Sequence, residues 1–186
     1  MSIIDGSLQS EYTLVLLPID MAIGPIRRSG QSKFTRNKRG MLRRKVSVGR
    51  ARHGRGVFAR ISFQAEEVIG EVRGRVIDDS HYGSSYSMDL GGSLTLEPRA
   101  PFRYLNHSCS PNCELFMYEA ADEPSLAARM FLQAIAAIEP GEELTIDYGW
   151  PADTAIPCDC SAINCRGWIV DPAELHLVPE PAAAVA

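Results

Sequence analysis

The chain has five cysteines, and all of them lie in two short polar stretches, "RYLNHSCSPNC" (Arg103 to Cys113) and "CDCSAINCRGW" (Cys158 to Trp168). Thiols placed this way could form disulfides, bind metal or simply pack as small hydrophobes. The odd count argues against disulfides, as does the single residue between Cys158 and Cys160. An oxidising compartment is not expected either, because "TLVLLP" (Thr13 to Pro18) is too short for a signal segment and follows acidic residues. Zinc fits better. The C-x-C-x4-C spacing of Cys158, Cys160 and Cys165 puts three thiolates on one small loop. A closed structural site needs a fourth ligand, for which Cys109, Cys113 and His107 are the candidates. Such a site would pin the C-terminal stretch to the "NHSC" loop and make the two stretches one place.

The elements that must hold these stretches read as short strands. "RKVSVG" alternates apolar and polar residues, and "GVFARI" follows the glycine-rich turn "RHGRG". Glu66 to Ile77 reads as one half-buried strand with glycines at bulges or close backbone approaches. "SYSMDL" and "SLTLEP" flank a turn at Gly91 and Gly92, and "ELTIDYGW" sets Leu144, Ile146 and Tyr148 on one face. "SLAARMFLQAIAAIEPG" suits a helix or a buried strand equally. The body is therefore mainly β, and "PEPAAAVA" reads as a frayed end.

A chain of 186 residues is a prior for one domain with a proper core. No apolar run approaches the roughly 18 residues that span a bilayer, so no membrane association is expected. The net charge of −4 hides an asymmetry: from Arg27 to Arg55 there are twelve Lys or Arg and no acidic residue, while the rest of the chain is acidic. The basic block reads either as an arm for nucleic acid or acidic protein, or as a solubilising segment. Met41 is an alternative start that would remove much of it.

Four blocks, in order, resemble the SET-domain protein lysine methyltransferases: "HGRGVFA" (His53 to Ala59), "RYLNHSCSPNC", "GEELTIDYGW" and the post-SET-like "CDCSAINCRGW". The resemblance covers roughly Val46 to Val170. It implies a SET-domain fold of short curved sheets, with the "ELTIDY" strand threaded beneath the chain near "NHSC" in a knot-like core, and a small post-SET zinc loop. The implied division is a basic arm at 1–45, a SET domain at 46–150, a post-SET segment at 151–170 and a tail at 171–186. The residues before Val46 hold no cysteine, so the zinc-rich pre-SET module of many relatives is not expected in the chain as given. Only twelve residues separate Leu90 from Arg103, which leaves a short substrate-gripping insert.

The resemblance also implies roles. S-adenosylmethionine is the methyl donor, and it meets the target lysine in a narrow channel entered from opposite faces. Tyr148 matches the catalytic tyrosine. Tyr86 matches, more loosely, a tyrosine lining the lysine channel and the cofactor pocket. Gly54, Arg55 and Gly56 match the turn that cradles the donor, where glycine permits close backbone approach. Asn106 and His107 match the pair that receives the donor, with Arg103 beside it and Trp168 over the adenine. Core packing, hydrogen bonding within the knot, a surface salt bridge and a hydrophobic anchor are the plainer readings of these side chains. One structural zinc ion is assigned to Cys109, Cys158, Cys160 and Cys165, which leaves Cys113 as a buried thiol. Ile146 stands where a family Phe or Tyr biases the number of methyl groups added, and an aliphatic side chain implies room for more than one. Glu142 and Glu143 read as a solvated turn, and Asp147 as structural.

The substrate class so implied is a protein lysine, by default of a histone, although a ribosomal or other basic protein suits the acidic body equally. Contact with nucleic acid or a nucleosome would run through the basic arm. Two other readings stand beside the enzyme: an idle SET-like binding module, which predicts a lost catalytic motif, and a zinc-stabilised nucleic-acid binder, which leaves "GEELTIDY" unexplained. Thiolate ligands imply a reducing, intracellular setting, chromatin or bacterial cytoplasm alike. Nothing in the residues specifies an oligomeric state.

Overall fold

A computed structural model of the protein describes residue 42, residues 45–118 and residues 129–178. Most of the basic arm, the start of "SLAARM" and the end "PEPAAAVA" lie outside the described residues. The strands are β1 (Val46–Ala51), β2 (Gly54–Ala59), β3 (Val68–Glu71), β4 (Gly74–Asp78), β5 (Met88–Gly91) and β6 (Leu94–Pro98), followed by β7 (Asn106–His107), β8 (Cys113–Tyr118), β9 (Arg129–Ala134), β10 (Glu143–Ile146), β11 (Ile156–Pro157) and β12 (Trp168–Ile169). Short 3-10 helices lie at Phe102–Tyr104, Ala152–Thr154 and Pro172–Leu177, and Leu42 and Lys45 are helical ahead of β1. Among the described residues no helix is long and apolar enough to cross a membrane.

The mainly β expectation holds, and the sheets are small: β1-β2-β10-β7, β3-β9-β8, β4-β6-β5 and β11-β12. β1 and β2 form a hairpin in unbroken register around a tight turn, where Gly54 takes a φ of +85°. β10 lies between two segments distant in sequence. It runs antiparallel to β2 through Leu144 and Val57, and parallel to β7 through Thr145 with Asn106 and Ile146 with His107. This is the threading expected of "ELTIDY" beneath "NHSC". Asn112, from the same motif, extends the support: its side-chain amide donates to the Glu143 carbonyl at 2.8 Å and accepts from the Thr145 N–H at 2.9 Å. The core beneath consists of Val57, Phe63, Leu132, Ile138 and Leu144, all fully buried.

One element differs from the sequence reading, one settles an open choice and one was not read. Glu66 to Ile77 is not one strand: β3 joins β9, and β4 joins β6 in another sheet. The chain turns at Val72 and Arg73 because Val72 is buried, its N–H bonding to the Met130 carbonyl, and Gly74 presses against the Glu97 carbonyl where a Cβ would clash. The bulge by Gly70 and the close approach at Gly74 are the glycine roles the pattern suggested. The ambiguous "RMFLQA" is a strand, β9, buried almost throughout as the centre of its sheet. Its partner β8 grows directly out of the "NHSCSPNC" motif.

Candidate active site

Tyr148 follows β10 on the face of Leu144 and Ile146, and its ring is held on three sides. The hydroxyl donates to the Leu105 carbonyl at 2.8 Å, and the ring centroid lies 5.4 Å from that of His107 and 5.5 Å from that of Trp150. Burial, helped by nearby Glu143 and Tyr86, pushes its pKa up to about 12, so the phenol stays protonated at neutral pH. A cleft of about 790 Å³ opens beside it, walled by Tyr86, Met88, Leu105, Ile146, Trp150 and Glu174 among others. Tyr86 is substantially exposed at this cleft, and the Arg103 guanidinium stacks on its ring at 3.8 Å. Arg103 is also paired with Glu97 and donates to the Pro98 carbonyl at 3.4 Å, so its salt bridge and its place at the cleft coexist.

A second group gathers at the hairpin turn. The Asn106 amide donates to the Arg55 carbonyl at 3.0 Å and to Glu143 Oε1 at 2.6 Å. A Cβ at Gly56 would collide with that same carboxylate, so the approach of β2 to β10 demands glycine there. The Arg55 side chain points elsewhere, donating to the Tyr104 hydroxyl at 2.9 Å with its guanidinium over that ring. Gly54, Arg55, Gly56 and Asn106 are therefore together, whereas Tyr86, Arg103 and Tyr148 share the cleft. His107 connects the two groups, with its Nδ1 accepting the Tyr148 N–H at 3.3 Å. Trp168 stands apart from both: it is half-buried in β12, opposite Pro157, and does not line the cleft.

The thiols form the third group. Cys109 Sγ lies 3.8 Å from Cys158 Sγ and 4.0 Å from Cys165 Sγ. The Cys109 N–H also donates to Cys160 Sγ at 3.4 Å, so all three thiols of the C-terminal loop gather around Cys109. Four sulfurs about a tetrahedral zinc at about 2.3 Å would be separated by about 3.8 Å, and the two sulfur distances from Cys109 match that spacing. Ligand atoms of His107, Cys109, Cys158 and Cys160 also lie within 4.8 Å of one another, so His107 competes with Cys165 for the fourth place. Cys113 is out of reach of this question. It is buried in β8, and burial pushes its thiol up to about 12. Desolvation raises Cys109 and Cys158 as well. Against the same desolvation, backbone N–H groups of Cys109 and Ala162 and the neighbouring thiols bring Cys160 down to about 6.

Other residues contribute that the sequence either does not single out or reads differently. Glu143 is not a turn residue: it lies in β10 and holds Asn106, while Glu142 alone makes the local turn bond, accepting from the Glu139 N–H. Trp150 sits two residues after Tyr148, beyond β10 and past Gly149 at a φ of +57°, and its ring reaches the same cleft. Arg166 donates to Asp147 at 2.8 Å and to the Val170 carbonyl at 3.0 Å, tying the cysteine loop to the end of β10 and giving Asp147 its structural role.

The SET domain family matches residues 54–149, about half of the chain. A histone-lysine N-methyltransferase of Emericella nidulans, H3 lysine-4 specific, is 32% identical over 151 residues, covering 69% of this chain and 12% of that protein. The ASHR3 histone-lysine N-methyltransferase of Arabidopsis thaliana is 32% identical over 145 residues, covering 68% of this chain and 28% of the relative. The chain thus corresponds to a minor part of each relative's length. Among solved structures, KRYPTONITE in complex with mCHH DNA, an H3(1-15) peptide and SAH is similar with a TM-score of 0.59 and 25% identity, over 67% of this chain and 29% of that one. With the threaded β10, the "NHSC" loop and the four ordered blocks, these likenesses agree: the chain belongs to the SET domain family.

Proposed function

We propose that the protein transfers a methyl group from S-adenosylmethionine to the side-chain amine of a protein lysine, with a histone as the default substrate. The observation that carries this reading is the environment of Tyr148, whose only hydroxyl proton is given to the Leu105 carbonyl at the floor of the cleft. The oxygen lone pairs are then left to face an incoming amine. Lysine has an ordinary pKa near 10.4, so removing its proton at neutral pH costs about 4–5 kcal/mol. An apolar wall of Leu105, Met88, Ile146 and Trp150 favours the neutral amine, and Tyr148 can orient its lone pair by accepting an amine N–H. With its own pKa near 12, Tyr148 acts as a fixed dipole and not as a base, and the proton leaves to solvent.

Gly54, Arg55, Gly56, Asn106 and His107 would receive the donor; the bond from Asn106 to the Arg55 carbonyl supports a shared site. Arg103 and Tyr86 would line the lysine side, and Trp168 remains a candidate for the adenine. Zinc would be held by Cys109, Cys158, Cys160 and Cys165 and would supply structure, with no open coordination position. His107 fits beside this set better than within it. Its Nδ1 is engaged by the Tyr148 N–H at 3.3 Å and by Asp147 Oδ1 at 3.4 Å, and its Nε2 lies 3.4 Å from Cys109 Sγ, so the ring buttresses the thiol cluster from the side. A chromatin setting, as for the histone methyltransferases it resembles, follows from the same reading. So does nucleic-acid contact through the basic arm.

The test is incubation of the zinc-loaded chain with labelled S-adenosylmethionine and core histones, nucleosomes or a ribosomal protein mixture, alongside Tyr148→Phe. Label on lysine that falls at least about a hundredfold in the variant is expected. Cofactor binding with no transfer to any pool would favour the idle module instead. The mass of the product also reads Ile146, which is expected to permit more than one methyl group; exhaustive monomethylation would refute that.

A further inference from the structure

The three lysines of the chain, Lys33, Lys38 and Lys45, all precede Val46, and residues 46–186 contain ten arginines but no lysine. Lys45 is committed to the fold: its ammonium pairs with Glu67 at 3.2 Å and lies 5.6 Å from the centroid of the Phe63 ring. Lys33 and Lys38 belong to the run between Arg27 and Arg55 that has no acidic residue. The cleft beside Tyr148 has the opposite character. Asp89, Glu114, Asp171 and Glu174 line it, and none of them makes an ion pair among the described residues. The one Lys or Arg among the lining residues, Arg103, is paired with Glu97 and stacked on Tyr86.

From this complementarity we infer that the arm of the chain is a substrate of its own cleft, with Lys33 or Lys38 methylated in the same molecule. The inference rests on the methyltransferase reading above. Reach permits it. Leu42 packs over Gly70 beside Phe102, whose neighbour Arg103 walls the cleft. At about 3.3–3.6 Å per residue, a fully extended chain would permit Lys38 at most about 14 Å from Leu42 and Lys33 at most about 30 Å, roughly the diameter of a small domain. Arginines of the body do not compete, because a guanidinium keeps its proton and offers no nucleophilic lone pair. Tethering also raises the local concentration of the arm to about the millimolar range. In the step itself the lysine ammonium loses a proton to solvent and the neutral Nζ forms the C–N bond. The C–S bond of the sulfonium breaks as it does so, leaving S-adenosylhomocysteine and N-methyl-lysine.

The experiment uses the full chain with methyl-labelled S-adenosylmethionine, alone and with core histones, followed by peptide mass mapping. Label is expected on Lys33 or Lys38, at a rate per molecule that stays constant over a hundredfold dilution. Lys33→Arg with Lys38→Arg should lower self-labelling at least tenfold and leave histone labelling intact, whereas Tyr148→Phe should abolish both. Labelled histone beside an unlabelled arm would overturn the inference while the methyltransferase reading stands, and would leave the arm to other acidic partners such as nucleic acid. A self-labelling rate per molecule that rises with concentration would overturn the same-molecule placement. Label that persists in the double variant would overturn the choice of lysines, and label in neither pool would remove both the inference and the reading beneath it.

Discussion

The strand frame around β10 and the C-terminal segment from Pro151 to Val178 meet at the same site but are built by different physics. The frame buries Val57, Leu144 and Ile146 almost completely and satisfies its backbone in β ladders on both sides of β10. The segment buries a single apolar side chain, Val170, while Ile156 and Ile163 stand exposed. Its cohesion comes from polar and thiol contacts: the four-cysteine cluster, Arg166 with Asp147, and Arg52 bridging to Asp159 and Ser161. The frame can fold on hydrophobic burial, whereas a stretch with so little core needs a cross-link. The cleft is walled by both, through Ile146 and Tyr148 on one side and Asp171 and Glu174 on the other.

If that contrast holds, the largest effect should come from metal removal. Chelation, or Cys158→Ser, should free residues 151–178 to proteolysis and abolish transfer, while the frame still melts cooperatively; loss of the whole transition would break the distinction. Next, Leu144→Ala should cost about 2–5 kcal/mol in denaturant melts and take frame and segment down together, since the segment has nothing else to dock on.

Glu71→Gln should cost less, and only in the frame. Against desolvation that raises it, hydrogen bonds and charge from Arg73 and Arg129 hold the Glu71 carboxyl below its ordinary range. A depressed folded pKa gives stability that is present above the unfolded value, near 4.5, and lost as pH falls through the folded one. Melts of wild type and variant should therefore differ at pH 7 and converge only as acidification carries the pH below 4.5 and through the lowered folded value. The smallest effect belongs to Arg52→Ala, because its partner Asp159 is fully exposed. Its melting should match wild type within experimental scatter, with faster proteolysis confined to the cysteine loop.

Much of the frame was legible before any coordinates. β1, β2, β5, β6 and β10 declare themselves by alternation and by glycine turns, such as Gly91 and Gly92, both at positive φ. β9 was ambiguous because burial on both faces erases the period of two. Glu66 to Ile77 reads as continuous because its local pattern is continuous; the break at Val72 and Arg73 depends on distant partners, since two different sheets take up the flanking strands. Glu143 looked like half of a solvated pair after Pro140 and Gly141, yet the parallel pairing of β10 with β7 puts its carboxylate against Asn106.

The sequence by itself determined the mainly β character, the order of the blocks and the chemistry available, thiols for a metal and a tyrosine at the end of an alternating strand. These are properties of residue type and local period, which need no knowledge of distant partners. Only the tertiary structure decided that three thiols gather around Cys109 while Cys113 lies in the core. The same holds for the Tyr148 hydroxyl, bound to Leu105 forty-three residues away, and for the cleft, whose acids Asp89, Glu114, Asp171 and Glu174 come from three separate stretches of chain. Those outcomes depend on contacts between segments far apart in sequence, set by which apolar faces can be buried together, and no local pattern records them.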